Sequence, residues 1–206
     1  MSAARLAAIV AVAVMMPVVV RAQDSELGVV TTLQGTAVLV RAAGPSGPLG
    51  PHDHLFSGDR IVTHDGSLVR VLLGRRAVVT LSPRSSLTLG GANGSQVLVL
   101  SSGTVYYHVR GEGMPLGAVH EVRAPNVVTR LTGTVVSVEI ENVSEPVTRV
   151  CVAAGTASAI TRSGAVVVNA NQCVLVTGDR MTRVPLRRYP APPPREAPPE
   201  RTIGRR

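Results

Sequence analysis

Aromatic residues are nearly missing from this chain: its 206 residues hold no Trp, one Phe and three Tyr. Sugar-stacking sites and platforms for single-stranded nucleic acid depend on such rings, so both functions are poorly supplied. Lysine is absent, and all 21 basic residues are Arg. We attach no function to that choice. Cysteine is limited to two residues, neither with a second Cys or a His beside it in sequence, which argues against a cysteine-based metal site. Past the N-terminal 22 residues, no apolar run approaches the ~20 residues of a helical membrane span. There is no Gly-x-Ser-x-Gly elbow, no Gly-rich phosphate loop and no credible Ser/His/Asp set. The expectation is a protein that is not an enzyme and carries no cofactor.

What is present is Val, Leu, Ala and Ile, punctuated by 20 Gly and 15 Pro. Such a composition reads as many short strands joined by tight turns, and the body shows no amphipathic helical pattern. The formal charge of +8 is unevenly placed. Residues 23–181 carry twelve Arg against eleven acids, while residues 182–206 carry seven Arg against two Glu. The fold is thus nearly neutral and the C-terminal tail is basic, so the high isoelectric point does not indicate nucleic-acid binding by the body.

Residues 1–22 have the layout of a secretory signal peptide. Arg5 gives the positive start, residues 6–16 form an apolar run of 11, and Pro17 ends it. Val20 and Ala22 sit at the −3 and −1 positions of a cleavage site before Gln23. The alternative is an uncleaved N-terminal anchor. Export fits a single cysteine pair in two β-like runs, so a Cys151–Cys173 disulfide is expected, the alternative being two buried thiols.

The chain echoes itself. Residues 28–40 (GVVTTLQGTAVLV) and 126–138 (NVVTRLTGTVVSV) align without a gap, with eight of thirteen positions identical. The Gly-Thr pair at Gly35-Thr36 and Gly133-Thr134 recurs at Gly103-Thr104 and Gly155-Thr156, and Gly58-Asp59-Arg60 recurs as Gly178-Asp179-Arg180. In each case an apolar strand reaches a Gly that permits a turn, and a second alternating strand leaves. Further strand-like runs fall at 67–73, 77–81, 86–89, 96–101, 104–109, 118–123, 147–153, 156–160, 165–168 and 172–177. The expected fold is all-β: one domain of many short antiparallel strands, in a solenoid-like stack or a sandwich with an internal repeat. Residues 42–55, rich in Pro and Gly, read as a long exposed loop. Residues 185–206, with seven Pro by position 199, read as an extended, disordered tail.

Over residues 28–184 the chain resembles the FecR domain family. The resemblance rests on an ordered set of motifs: Gly35-Thr36; Gly58-Asp59 with Thr63 shortly after; Ala124-Pro125; Gly133-Thr134; and Gly155-Thr156. Thr132 stands where the family usually has Arg, and Val135 where it often has Phe. The best-known members are inner-membrane regulators with a cytoplasmic anti-sigma segment and this domain in the periplasm. This chain shows no such segment, so the resemblance implies an exported periplasmic β-domain and does not by itself carry over sigma-factor control.

Other residues are candidates for chemistry. His52 and His54, two apart, can present both imidazoles on one side of an extended segment, with His64 or Asp59 as a third metal ligand; the competing reading is a polar loop. Asp59 and Asp179 pose a choice between an acid pair and turn residues bonded to backbone amides, and their repetition favours turns. In residues 104–109, alternation places Tyr106 and His108 on one face and Val105, Tyr107 and Val109 on the other, as core and edge packing would. Arg183, Arg187, Arg188, Arg195, Arg201, Arg205 and Arg206 are candidate contacts for an anionic polymer or a partner.

Three functions follow as expectations. The first is an exported, non-enzymatic module that binds a cell-envelope protein or anionic envelope polymer, in the periplasm or outside the cell. The second is the sensory part of a sigma-factor system acting through a separate membrane partner. The third is a metal protein or enzyme built on His52 and His54. The sequence leaves the oligomeric state open.

Overall fold

The computed structural model describes residues 26–74, 77–91, 94–109 and 118–186. Fifteen strands, and no helix among the described residues, form one hydrogen-bonded sheet. They are β1 (Glu26–Gln34), β2 (Ala37–Val40), β3 (Gly47–Pro48), β4 (His54–Phe56), β5 (Arg60–Thr63), β6 (Leu68–Leu73), β7 (Ala77–Leu81) and β8 (Ser86–Gly90). There follow β9 (Gln96–Val109), β10 (His120–Ala124), β11 (Val127–Asn142), β12 (Val147–Thr161), β13 (Gly164–Asn169), β14 (Gln172–Thr177) and β15 (Arg180–Val184).

Three of these strands are long and serve two halves of the sheet. The second part of β9 pairs with β7 and β11, while its first part pairs with β8 and β10. In the same way, β11 and β12 pair with each other on both sides of their Gly-Thr sites. The first half of the sheet therefore runs β4-β1-β6-β7-β9-β11-β12-β14-β15, and the second runs β3-β2-β5-β8-β9-β10-β11-β12-β13. All pairs are antiparallel except β9 with β10, which is parallel.

The Gly-Thr pairs are the corners between the halves. Gly35, Gly103, Gly133 and Gly155 all have positive φ, between 56° and 79°. A left-handed residue acts as a bulge and shifts the in–out alternation by one. In β9, Gln96, Leu98 and Leu100 are buried before Gly103, whereas Val105, Tyr107 and Val109 are buried after it. In β11, Val127, Thr129 and Leu131 give way to Thr134, Val136 and Val138. The parity change keeps one sheet face inward through each corner. Apolar residues from both halves, from Leu39 and Ile61 to Val150 and Val176, accordingly join one core. Both halves of the one sheet thus contribute to a single core, and the expected all-β fold of many short strands is what the chain adopts.

Residues 42–55 differ from the expected exposed loop. They include β3 and the start of β4, and Leu49 and Leu55 are buried in the core. The Pro and Gly residues masked this, because the strands between them are only two and three residues long. The expected disulfide is present: Cys151 and Cys173 face each other across β12 and β14, with Cα atoms 4.1 Å apart.

Candidate functional site

The most developed polar cluster lies on the outer face of the second half. The two-residue turn at Pro125-Asn126 joins β10 to β11, and that register sets Glu121 opposite Arg130. Arg123 lies two residues along β10 and so shares the face of Glu121. Arg123 donates Nε and Nη2 to Glu121 Oε2 at 3.1 and 2.9 Å, and Arg130 donates the same pair to Oε1 at 3.0 and 2.8 Å. The Glu121 side chain is 5% exposed, whereas those of Arg123 and Arg130 are 52% and 56% exposed. Burial pushes the Glu121 carboxyl upward, but the hydrogen bonds from Arg130 and Arg123 outweigh it and hold it below its ordinary value. The result is one buried acid carrying two guanidinium groups whose outer edges face solvent. Val99 and Val128 lie directly across from Arg123 on the neighbouring strands, and Val99 is itself exposed. On this face two arginines held by one acid thus lie beside apolar side chains.

Under this face, the hydroxyl of buried Tyr107 meets His120 Nδ1 at 2.8 Å. Burial pushes the Tyr107 phenol up and the His120 imidazole down. Both ionisations are suppressed, and the pair serves as a polar tie within the core. At one rim, the Asn126 amide donates to the carbonyls of Pro146, Val176 and Gly178, and its oxygen accepts from Thr148 Oγ1 at 2.6 Å. Asn126 thereby gathers three turns beside an open cleft of about 490 Å³ that also includes Ile160 and Arg162.

The residues singled out in the sequence separate into distinct places. Asp59 is buried; it accepts from the amides of Phe56 at 3.0 Å and Ala42 at 3.2 Å, and pairs with Arg41 at 2.7 Å. Asp179 is exposed, and its backbone carbonyl accepts from Ser163 and Thr161. The two aspartates are therefore not equivalent in surroundings. His52 has positive φ in a turn, Asp53 accepts from the Gly50 amide at 2.8 Å, and His54 Nδ1 lies 2.8 Å from Glu26. Among the described residues, no three His, Cys, Asp or Glu side chains gather as a metal site. Tyr107 and Val105 face inward and His108 outward.

Thr63 accepts from the Ser85 amide and donates to the Ser82 carbonyl at 2.6 Å. Thr134 donates to the Thr156 carbonyl at 2.5 Å, tying the corners of β11 and β12 together. Arg183 is exposed on β15 and donates to Gln172 at 2.7 Å. Ala22, Gln23, Arg187, Arg188, Arg195, Arg201, Arg205 and Arg206 lie outside the described residues, as do the signal segment and nearly all of the tail.

Sequence reading missed the Glu121 cluster. Its signal was present: Glu and Arg two apart on one strand, followed by a hairpin turn that places a second Arg opposite the Glu.

Residues 59–158 match the family model described as FecR protein. Two crystal structures of a candidate anti-sigma factor from Parabacteroides distasonis, at 1.65 and 2.50 Å resolution, have the same kind of fold. Each aligns with a TM-score of 0.53 at 15% identity, over 61% of this chain and 59% of the other. This chain thus spans well under two thirds of the length of those structures. No curated protein matches it.

Proposed function

We propose, starting from a chain that carries a FecR domain, that it is an exported, non-enzymatic binding module of the cell envelope. The observation that carries this reading is the outer face of the second half-sheet. There, buried Glu121 fixes Arg123 and Arg130 beside exposed Val99. Holding two flexible side chains in place before binding reduces the ordering cost of association. The Cys151–Cys173 disulfide supports an oxidising compartment such as the periplasm. The partner is another envelope component, a protein or an anionic polymer, and the arginines of residues 182–206 add a salt-sensitive attraction. In-cell cross-linking followed by pull-down tests the reading: an envelope component should be captured by the wild type and lost from an Arg123→Ala/Arg130→Ala variant that still folds. Capture equal in both would remove that face from the account.

A second reading is favoured by the likeness to a candidate anti-sigma factor. In it, the β-domain senses a signal and passes it to a sigma factor through a separate membrane partner. Deleting the gene should then change transcription from a sigma-dependent reporter promoter, and restoring the exported chain should reverse the change. An unaltered reporter would count against it.

A further inference from the structure

Among the described residues, four strands pair on one side only: β3, β4, β13 and β15. An unpaired strand edge is a template for another strand, and proteins blunt such edges by shortness, proline or charge. Three of the four are blunted. β3 has two residues and includes Pro48, β4 has three residues, and β15 carries Arg180 and Arg183. β13 has six residues, Gly164–Asn169, with no charge and no proline. Its register with β12 is continuous, without a bulge, and Val167 on its outer side is 55% exposed.

We propose that β13 is a docking edge for a second copy of this chain, paired antiparallel through the β13 strands. The chain's own residues 185–199 are a poor occupant, because seven prolines among them remove ladder donors. A copy of β13 brings no like charge against itself, unlike β15, where arginines would meet. A two-fold axis at Val167 sets the two exposed valines beside each other and buries both. The contact is isologous, so it uses both open edges and closes at two copies. The interface is small, which makes the dimer concentration-dependent.

The test is sedimentation of the purified, oxidised mature chain from low micromolar to near-millimolar concentration. The wild type should shift from monomer to dimer and stop there. Val167→Lys and Val167→Glu should each weaken association at least about tenfold, since like charges would then face each other, and each should keep the wild-type melting temperature in dilute solution. An equal mixture of the two variants should dimerise again. A wild type that stays monomeric, grows beyond a dimer, or dimerises equally well as either variant would overturn the proposal. So would a mixture that fails to restore the dimer.

Discussion

Ser85 and Thr104 hold each other across a corner of the sheet: Ser85 Oγ accepts the Thr104 amide at 3.0 Å and lies 3.2 Å from the Thr104 carbonyl. The corner at Gly35 repeats the device, with Ser67 Oγ accepting the Thr36 amide at 2.9 Å. Both serines are fully buried. The glycine before each threonine lets the serine approach: a Cβ at Gly103 would lie 2.6 Å from Ser85 Cα and 2.7 Å from the Arg84 carbonyl. Small residues at these positions are therefore a requirement of the corner and not a general preference for turns.

Replacing Ser85 by Ala should cost about 1–3 kcal/mol, the penalty for leaving buried groups without partners. Gly103→Ala should cost more, because it adds backbone collision to an unfavourable φ of 79°. Gly178→Ala is the control, with positive φ but open space around its Cβ position. Urea unfolding of the three variants should rank Gly103→Ala as the least stable. Equal losses at Gly103 and Gly178 would remove steric closeness from the explanation.

The disulfide closes a separation of 22 residues between neighbouring strands. In the chain-entropy description such a loop contributes roughly 3 kcal/mol. Unfolding with and without reductant, alongside a Cys151→Ser/Cys173→Ser variant, measures it. Reduction should lower the midpoint of the wild type and leave that of the double variant unchanged.

Glu121 adds an acid-sensitive element. Its folded carboxyl titrates below the ordinary value of 4.5. Its contribution is complete above that value and is lost as pH falls through the lower, folded value. Glu121→Gln should reduce stability at neutral pH by about 1–2 kcal/mol, limited by the exposure of both arginines. It should also flatten the stability curve below pH 4.5 relative to the wild type. Parallel curves in that range would show that Glu121 does not titrate differently in the folded state.

His120 acts in a higher window. Burial holds its imidazole below the ordinary 6.5, so the unfolded chain takes the proton first. Stability should therefore decline as pH falls through 6.5 and level off below the folded value. Tyr107→Phe should cost roughly 1–2 kcal/mol by leaving the ring nitrogen without its partner. It should leave the decline in place, because burial rather than the hydroxyl displaces the imidazole. Loss of the decline in the Phe variant would assign the displacement to the hydroxyl.

Local signals were legible where they were repeated. The Gly-Thr echo marked Gly35, Gly103, Gly133 and Gly155 as breaks in the strand pattern, and alternation set Tyr107 and His108 on opposite faces. The last three glycines are bulges inside the continuous strands β9, β11 and β12 and not the turns between strands that the echo suggested. Residues 42–55 were less readable, because Leu49 and Leu55 are buried by strands too short for any periodicity to show. The parallel pairing of β9 with β10 was hidden too, since nothing in the residue pattern of either strand records the direction of its partner. Glu121 stayed hidden because Arg130 comes opposite it only when the β10–β11 hairpin forms. The Asp59 and Asp179 repeats look alike in sequence but differ in depth, one among buried amides and the other at an exposed turn.

The central claim is that the β-domain itself binds an envelope component. The most direct test is in-cell cross-linking and pull-down with the full chain and with a chain ending at Val184. The account predicts that both forms capture the same envelope component, with the full chain retaining more of it at low salt. Capture by the full chain alone, abolished by high salt, would contradict the claim and assign binding to the arginine-rich tail.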